Sequence, residues 1–326
     1  MTEIPICTKT FKLNNGTFMP AVGLGTWQGR IGTDDEKALE ESIIVAIQNG
    51  YRLIDTAQYY GIESVVGRAV RNSRVPRSEI TVVSKYWGHY HHDVAAALEV
   101  SLRELDLGYV DLFLMHWPWA MTPDGKPLRI HRSPTFLETW KQMESLVGDK
   151  CKGIGVCNFT QKTLSMLLQH AAIVPAVNQV ELHALNPCLK LVPYCQSKGI
   201  HVMAWGTLGG DSKFAKDHIL QHDVFTSVAR KHNISASTVS LSWAVQRGVT
   251  VIPKSSLKSR ISSNIRIVSL DNEDMGAINS AHNKIGGHRI CNIQNQLWVE
   301  LDGKRTLQGW TEVDFGWEDS KGNWLT

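Results

Sequence analysis

Short runs of apolar residues alternate with longer amphipathic stretches through most of the chain. The apolar runs are rich in valine, isoleucine and leucine, and each has the length of a buried strand. Eight of them lie at residues 21–25, 52–55, 81–85, 110–116, 153–158, 176–181, 201–205 and 250–254. Strands that alternate with helices predict parallel pairing through right-handed crossovers. Eight such units predict an α/β fold, the closed (β/α)8 TIM barrel.

The stretches between the runs have helical spacing. In residues 93–105, for example, Val94, Leu98, Leu102 and Leu105 fall on one helical face. Thr33 followed by Glu36 predicts a capping box that opens a helix ending at Asn49. Further helices are predicted over residues 134–147, 161–170, 187–198, 218–232 and 235–247.

The two ends of the chain depart from this alternation. Asn15-Gly16 is a tight-turn signal and predicts an N-terminal β-hairpin over residues 10–19. Residues 285–326 contain four tryptophans and no clear period. This segment is predicted to be a C-terminal tail that lies over the active-site face of the barrel and shapes the substrate pocket. No linker divides the chain, so residues 1–326 are expected to form a single barrel domain.

Composition excludes several classes of protein. The chain has 326 residues, of which 43% are hydrophobic and 20% charged, and this balance is typical of a globular protein. Its net charge of +3 is small and dispersed, which argues against nucleic acid or membrane partners. The six cysteines form no CxxC pair and are expected to be reduced thiols. With no apolar run of membrane-spanning length and no signal peptide, the expectation is a soluble cytoplasmic protein.

Polar residues close most of the predicted strands, although a buried parallel strand should be apolar throughout. They are Asp55, Lys85, His116, Asn158, Gln179, Glu181 and Lys254. Any one of them could be a buried polar group with its hydrogen bonds satisfied. Because the carboxyl ends of barrel strands form the face that binds ligands, their recurrence at the same relative position predicts an active site.

The first three of these residues suit one chemistry when they are combined with Tyr60. A lysine cation at Lys85 favours phenolate and is expected to lower the pKa of Tyr60. A buried carboxylate at Asp55 would keep the lysine charged, and a neutral His116 could donate a hydrogen bond to a substrate oxygen. Together they suit protonation of a carbonyl oxygen while a cofactor delivers a hydride to the carbon.

The sequence resembles the aldo-keto reductase family over roughly residues 10–285. The motifs that carry the resemblance occur in order along the predicted strands. They are Gly23-Leu24-Gly25-Thr26-Trp27, Asp55-Thr56-Ala57-Gln58-Tyr59-Tyr60, Ser84-Lys85, Leu114-Met115-His116-Trp117-Pro118, Gly155-Val156-Cys157-Asn158-Phe159, Asn178-Gln179-Val180-Glu181 and Ile252-Pro253-Lys254-Ser255. The resemblance implies a catalytic tetrad of Asp55, Tyr60, Lys85 and His116, with Tyr60 as the proton donor. It also implies a small-molecule carbonyl substrate and a monomeric protein.

The resemblance further implies sites for NADPH and the substrate. Asn158 and Gln179 would bind the nicotinamide carboxamide, and Trp205 would stack on the ring. The 2′-phosphate would lie at Lys254, Ser255 and Arg260, where two cations and a hydroxyl beside a helix start suit a phosphate independently of the resemblance. The remaining cofactor residues would be Thr26, Trp27, Leu208, Asp211 and Asn264. Substrate would contact Trp27, Tyr59, Trp87, His116 and Trp117, which give apolar walls around few polar groups.

Three departures and two alternatives accompany this interpretation. Cys157, Trp205 and Ser263 stand where the family usually has serine, tyrosine and glutamate. A cofactor-binding regulatory or redox-sensing subunit with little turnover is the main alternative, and a metal-assisted barrel hydrolase is the other. The cluster of His89, His91 and His92 lacks metal-ligand spacing, so it is expected to be a solvated loop and no metal is predicted.

Overall fold

The N-terminal hairpin forms as predicted. The computed structural model describes residues 4–27, 32–210, 213–287, 289, 297–321 and 325. Strands β1 (Thr10–Lys12) and β2 (Phe18–Pro20) pair antiparallel. Gly16 takes a φ of +87°, and the Asn15 side chain accepts a hydrogen bond from the Thr17 N–H at 3.1 Å. A residue with positive φ in this turn explains why glycine follows asparagine there.

The described part of the chain contains a sheet of eight strands that pair in parallel in chain order. They are β3 (Leu24–Gly25), β4 (Leu53–Asp55), β5 (Thr81–Tyr86), β6 (Leu112–Met115), β7 (Ile154–Cys157), β8 (Val177–Glu181), β9 (His201–Trp205) and β10 (Val249–Val251). The first and last strands meet: the Gly23 N–H donates to the Val251 oxygen at 2.8 Å, and the Val251 N–H donates to the Ala21 oxygen at 2.9 Å. The sheet is therefore closed, and the predicted (β/α)8 barrel is confirmed.

Helices surround the barrel. Those in the described residues are α1 (Asp34–Gln48), α2 (Glu63–Asn72), α3 (Val94–Leu105), α4 (Phe136–Glu144), α5 (Gln161–Leu168), α6 (Leu191–Ser197), α7 (Lys213–Leu220), α8 (Asp223–His232), α9 (Ala236–Gln246), α10 (Lys258–Asn264), α11 (Asn272–Asn279), α12 (Ala281–Ile285) and α13 (Glu312–Phe315). None of them is long and apolar enough to cross a membrane.

Two helix predictions were wrong in detail. The single helix predicted over 218–232 is two helices, because His222 caps α8 by accepting a hydrogen bond from the Val224 N–H at 3.2 Å. The capping box at Thr33 does not form. The Glu36 carboxylate instead accepts from the Gly32 N–H at 2.7 Å and pairs with Arg68 at 2.8 Å, which ties α1 to α2.

Strand periodicity places the polar strand ends inside the barrel. The inner core includes Leu53, Val83, Leu112, Leu114 and Val177. Because strand side chains alternate between faces, positions two residues beyond these point inward as well. Those positions are Asp55, Lys85, His116 and Gln179. The residues between them on the same strands, such as Ile54 and Phe113, pack outward against the helices.

The C-terminal tail contains a second hairpin that the sequence analysis missed. Strands β11 (Trp298–Leu301) and β12 (Lys304–Leu307) pair antiparallel across Asp302-Gly303, both of which have positive φ. Asp-Gly is a turn signal of the same kind as Asn-Gly, and it was available in the sequence. After β12, the oxygen of Phe315 accepts a hydrogen bond from the Thr160 hydroxyl at 2.5 Å, which fastens the tail beside the end of β7.

A glycine at the contact of α2 and α3 provides a test of packing. A Cβ on Gly67 would overlap the backbone carbonyl of Leu105. We expect Gly67→Ala to destabilise the fold by about 1–3 kcal/mol, the usual cost of overpacking, measured as a lower thermal unfolding midpoint. The matched control is Gly276→Ala in α11, where a Cβ would meet no atom within 4 Å. That control should be neutral or stabilising, since alanine favours helix; equal midpoints for the two variants would contradict the prediction.

Candidate active site

A buried ion pair lies at the centre of the candidate site. The Lys85 Nζ is 2.7 Å from Asp55 Oδ2, and the two side chains are 0% and 2% exposed. Lys85 also donates to the Thr56 oxygen at 2.8 Å, and Gln179 Nε2 donates to Asp55 Oδ1 at 2.6 Å. Burial alone would lower the pKa of Lys85, but Asp55, Tyr60 and Cys157 together outweigh burial and raise it. The lysine is therefore a cation, as predicted.

Tyr60 is held close to this cation. It ends the 3₁₀ turn Gln58–Tyr60 that follows β4, and Gly61 beyond it adopts the left-handed conformation with a φ of 65°. The Lys85 Nζ lies 5.2 Å from the centroid of the phenol ring. Burial raises the pKa of Tyr60 to about 12, although Lys85 acts in the opposite direction. Lys85 therefore lowers the pKa of Tyr60 as expected, but burial has the larger effect; Tyr60 is a neutral phenol that holds its proton.

His116 lies beside the phenol. Its ring centroid is 5.8 Å from that of Tyr60, at 75° to it. Burial, together with the Lys85 charge, holds the pKa of His116 well below its ordinary value. The imidazole is thus neutral and can donate one N–H. Its Nδ1 has no hydrogen-bond partner among the described residues.

The two residues predicted to bind the carboxamide, Asn158 and Gln179, are joined by a hydrogen bond. Asn158 has a φ of +63°. Its side chain donates to the His116 oxygen at 2.9 Å and accepts from Trp205 Nε1 at 3.1 Å. The Asn158 amide is also 3.3 Å from the sulfur of Cys157, a thiol whose pKa is raised by burial. Gln179 lies next to Asn158, and the backbone oxygen of Gln179 accepts a hydrogen bond from the backbone N–H of Asn158 at 2.8 Å.

Aromatic rings surround the Tyr60 phenol. Trp27 stands edge to face with Tyr60 at 4.7 Å, and Tyr59 stacks on Trp87 at 3.8 Å. Trp117 is buried and contacts Phe315 of the tail at 6.0 Å. The structure therefore places Trp27, Tyr59 and Trp87 around the phenol and His116. Trp117 packs against Trp119 and the tail.

The predicted phosphate residues lie on the segment that leaves β10. Lys254 and Arg260 are exposed, and neither side chain has an ion-pair partner among the described residues. The neighbouring Lys258 is different, because its ammonium is 2.5 Å from the Glu41 carboxylate. Ser255 and Asn264 are buried beside these cations. Cations that have no carboxylate partner within the described part of the chain fit an anionic group such as a phosphate.

Other predicted residues are distributed around this centre. Thr26 is buried and its hydroxyl donates a hydrogen bond to the backbone oxygen of Asp55 at 2.9 Å. Leu208 is half-buried beyond β9, and Asp211 lies outside the described residues. Glu181 does not join the site; its carboxylate is 3.1 Å from the buried His183 ring.

The histidine cluster after β5 is only in part the solvated loop that we expected, since His92 is exposed but His91 is not. His91 is fully buried, its ring lies 3.2 Å from the Thr139 hydroxyl, and burial lowers its pKa to about 3. In the described residues, the grouping with metal-ligand spacing is His232, Asp271 and Asp274 on the outer helices. The Lys231 ammonium already lies 2.5 Å from Asp271 and 3.0 Å from Asp274, so a cation is in place there.

Sequence reasoning missed two features of the site. Trp119 is buried and contacts both Trp87 and Trp117, at 4.9 and 5.9 Å. The spacing of tryptophans in Trp117-Pro118-Trp119 was a signal for it. The hydrogen bond from Trp205 to Asn158 was also missed, since it joins residues 47 positions apart. As a whole, the arrangement presents a neutral acid and a neutral hydrogen-bond donor beside a fixed cation, which suits stabilisation of a developing oxyanion.

Comparisons with known proteins agree with this geometry. The sequence model of the Aldo/keto reductase family matches residues 21–283. The chain is 41% identical to D-galacturonate reductase of Hypocrea jecorina, over 95% of this chain and 98% of that one. It is 39% identical to glycerol 2-dehydrogenase (NADP(+)) of Saccharomyces cerevisiae, over 87% and 94% of the two chains. A crystal structure of a Bombyx mori aldo-keto reductase in complex with NADP is 32% identical, with a TM-score of 0.77 over 88% of this chain and 95% of that one. The chain belongs to the aldo/keto reductase family of oxidoreductases.

Proposed function

We propose that this protein uses NADPH to reduce an aldehyde or ketone to the alcohol, with Tyr60 as the proton donor. The observation that carries the proposal is the Tyr60 phenol, held neutral beside the Lys85–Asp55 pair and facing a neutral His116. The names of the relatives support the reaction class, because a galacturonate reductase and an NADP-dependent glycerol dehydrogenase both interconvert a carbonyl and an alcohol. Small hydroxylated carbonyl compounds are accordingly the first substrates to assay.

Each residue of the tetrad has a distinct part in this mechanism. Bound NADPH supplies the hydride to the carbonyl carbon. His116 donates its N–H to the carbonyl oxygen and orients it towards the phenol. Tyr60 gives its proton to that oxygen as negative charge develops. Lys85 stabilises the phenolate that results, and Asp55 keeps the lysine charged and fixed in position.

The neutral state of His116 matters for this division of roles. An imidazolium beside Lys85 would place two cations around one oxygen, and burial disfavours that charge strongly. A neutral donor orients the substrate without competing with Tyr60 to transfer a proton. The raised pKa of Tyr60 keeps the phenol protonated at neutral pH.

Binding of NADPH is assigned to the residues around β7 to β10. Trp205 would stack on the nicotinamide while its indole N–H orients Asn158. Lys254 and Arg260 would hold the 2′-phosphate, for which their exposed side chains, without an ion-pair partner among the described residues, are suited. Thr26, Trp27, Leu208, Asp211 and Asn264 stay predicted cofactor residues on the strength of the family resemblance.

The alternative function is a regulatory subunit that binds the cofactor with little turnover. The features that favour an enzyme are the complete tetrad and the aromatic pocket beside it. Oxidation of NADPH in the presence of an aldehyde panel separates the two, since a regulatory subunit would bind NADPH but leave it unconsumed.

The role of Tyr60 can be tested with two tyrosines that are adjacent in sequence. Tyr60→Phe removes the proton donor, and we expect kcat for glyceraldehyde reduction to fall by about 10²–10⁴-fold, the usual contribution of a general acid. Affinity for NADPH, measured by calorimetry, should be retained. Tyr59→Phe is the matched control and should keep its activity, because the Tyr59 hydroxyl makes no hydrogen bond with a described residue. Full activity in Tyr60→Phe would contradict the assignment.

The phosphate site can be tested by cofactor preference. In Lys254→Ala/Arg260→Ala, two charge-assisted contacts to the 2′-phosphate are lost, each worth about 1.5–3 kcal/mol. We expect the Kd for NADPH to rise on the order of 100-fold or more, while the Kd for NADH changes little. Lys258→Ala is the control, since that lysine pairs with Glu41. An equal loss for both cofactors would refute the site.

The hydrogen bond from Trp205 to Asn158 predicts a measurable coupling. Trp205→Phe keeps an aromatic ring but removes the N–H, and a neutral hydrogen bond is worth about 0.5–1.5 kcal/mol. NADPH should bind about 2- to 10-fold more weakly, as measured by calorimetry. In an Asn158→Ala background the same substitution should have a smaller effect, because the partner is gone. Additive losses would mean that the indole N–H does not act through Asn158.

A further inference from the structure

A buried carboxyl group lies just outside the reaction centre. Glu63 is the first residue of α2 and is 5% exposed. The Ser84 hydroxyl donates a hydrogen bond to its Oε1 at 2.5 Å. Burial raises the pKa of Glu63, and hydrogen bonds from Ser84 and Ser101 oppose that effect. Glu63 has no part in the proton and hydride transfers proposed above.

The hydrogen bonds of Glu63 extend to the turn that carries Tyr60. Gln58 begins that turn, and its Nε2 donates to Ser101 Oγ at 3.1 Å and to the Ala97 oxygen at 2.7 Å. Ser101, which lies on α3, therefore connects Gln58 with Glu63. The 3₁₀ turn, α2, α3 and β5 each contribute one side chain to this support network, whose members are Gln58, Glu63, Ser84 and Ser101.

The support network adjoins both the proton donor and the cation. Ser84 immediately precedes Lys85 on β5. Because strand side chains alternate, Ser84 points outwards to α2 while Lys85 points into the barrel. Glu63 follows Tyr60 by three positions, across Gly61 with its φ of 65°. The hydrogen bond between Glu63 and Ser84 thus joins the two segments that set the 5.2 Å distance from the Lys85 Nζ to the Tyr60 ring.

We propose that Glu63 is a positioning residue for the proton donor, an inference that rests on the carbonyl reduction proposed above. By accepting hydrogen bonds from Ser84 and Ser101, it holds the turn that ends in Tyr60 at a fixed distance from Lys85. The cation stabilises the developing phenolate only while the two groups stay adjacent. A displacement of about 1 Å in a reacting group can cost about 10²-fold in rate, so loss of this support should slow proton transfer.

Glu63 acts through its neighbours and not on the substrate. It borders a cleft of about 320 Å³ that is also lined by residues of α3, and none of the four tetrad residues is among the described residues that line this cleft. Burial, the two serine hydroxyls and Glu104 all affect the pKa of Glu63 more strongly than Lys85 does. The hydrogen bonds of Glu63, and not its charge, therefore carry the proposed effect.

A purely structural role for Glu63 predicts a different outcome. A carboxyl that only supports the fold would, when removed, lower the thermal unfolding midpoint without a specific effect on proton transfer. Asp274 provides the matched control, because it is a carboxyl in the first turn of α11 and is 3% exposed. Its partners Lys231 and His232 lie on α8, at 3.0 and 2.6 Å. Asp274→Ala should lower the midpoint and leave kcat for glyceraldehyde unchanged.

The experiment measures glyceraldehyde reduction in Glu63→Ala, Glu63→Gln and Ser84→Ala. In Glu63→Ala we expect kcat to fall by about 10- to 100-fold, the scale of a misplaced reacting group, while the Kd for NADPH, measured by calorimetry, is unchanged. The solvent deuterium isotope effect on kcat should increase, because proton transfer becomes slower relative to product release. Glu63→Gln keeps an acceptor oxygen and should recover most of the lost kcat.

The hydrogen bond between Glu63 and Ser84 is tested by combining the two substitutions. Ser84→Ala should lower kcat less than Glu63→Ala does, because the bond from Ser101 remains. In Glu63→Ala/Ser84→Ala, kcat should fall no further than in Glu63→Ala, since the hydroxyl has already lost its partner. Independent losses in kcat would mean that the two residues do not act through one another, and would overturn the proposal.

The controls separate this inference from the proposed function. An unchanged solvent isotope effect in Glu63→Ala, a loss of kcat that Asp274→Ala matches, or a Glu63→Gln variant as impaired as Glu63→Ala each overturns the positioning role. If Glu63→Ala does not fold, Ser84→Ala, which removes a single hydroxyl, is judged by the same isotope effect. A wild type that oxidises NADPH with no aldehyde of the panel would refute the proposed function itself.

Discussion

The buried pair of Lys85 and Asp55 is the interaction on which the rest of the site depends. A charge this deep in a protein costs several kcal/mol unless its hydrogen bonds are satisfied. Here Asp55 Oδ2 and the Thr56 carbonyl both accept from the lysine, and Gln179 donates to the other carboxylate oxygen. These contacts join β4, β5 and β8 across the barrel interior. They offset the destabilisation of the fold that two buried charges would otherwise cause.

The lysine charge then acts on each neighbour. It opposes the effect of burial on Tyr60 and adds to that effect on His116. Both side chains are nevertheless uncharged at neutral pH. Cys157 is likewise kept as a thiol by burial, against the pull of Lys85. A carbonyl oxygen that gains negative charge would therefore meet two neutral donors, and the cation that stabilises the charge is already compensated by Asp55.

The barrel and the inward position of the tetrad could be predicted from the sequence because both follow from strand periodicity. Asp55 and Lys85 lie two residues beyond core positions on their strands, and that parity is visible in the sequence. Contacts between strands that are distant in the sequence could not be predicted from it. Gln179, predicted for the cofactor, hydrogen-bonds Asp55 at a separation of 124 residues, and Glu181 turns to His183 instead. The sequence predicted the effect of Lys85 on the pKa of Tyr60, but not the larger effect of burial, which depends on the folded structure.

Two adjacent tyrosines of one short turn have different surroundings. A 3₁₀ turn has three residues per turn, so successive side chains diverge by about 120°. This geometry directs Tyr60 towards Lys85 while Tyr59 joins Trp27 and Trp87. The turn itself is anchored by Gln58 to the oxygen of Ala97 in α3, outside the reaction centre. The anchor of the turn is therefore separate from the ring contacts of Tyr59.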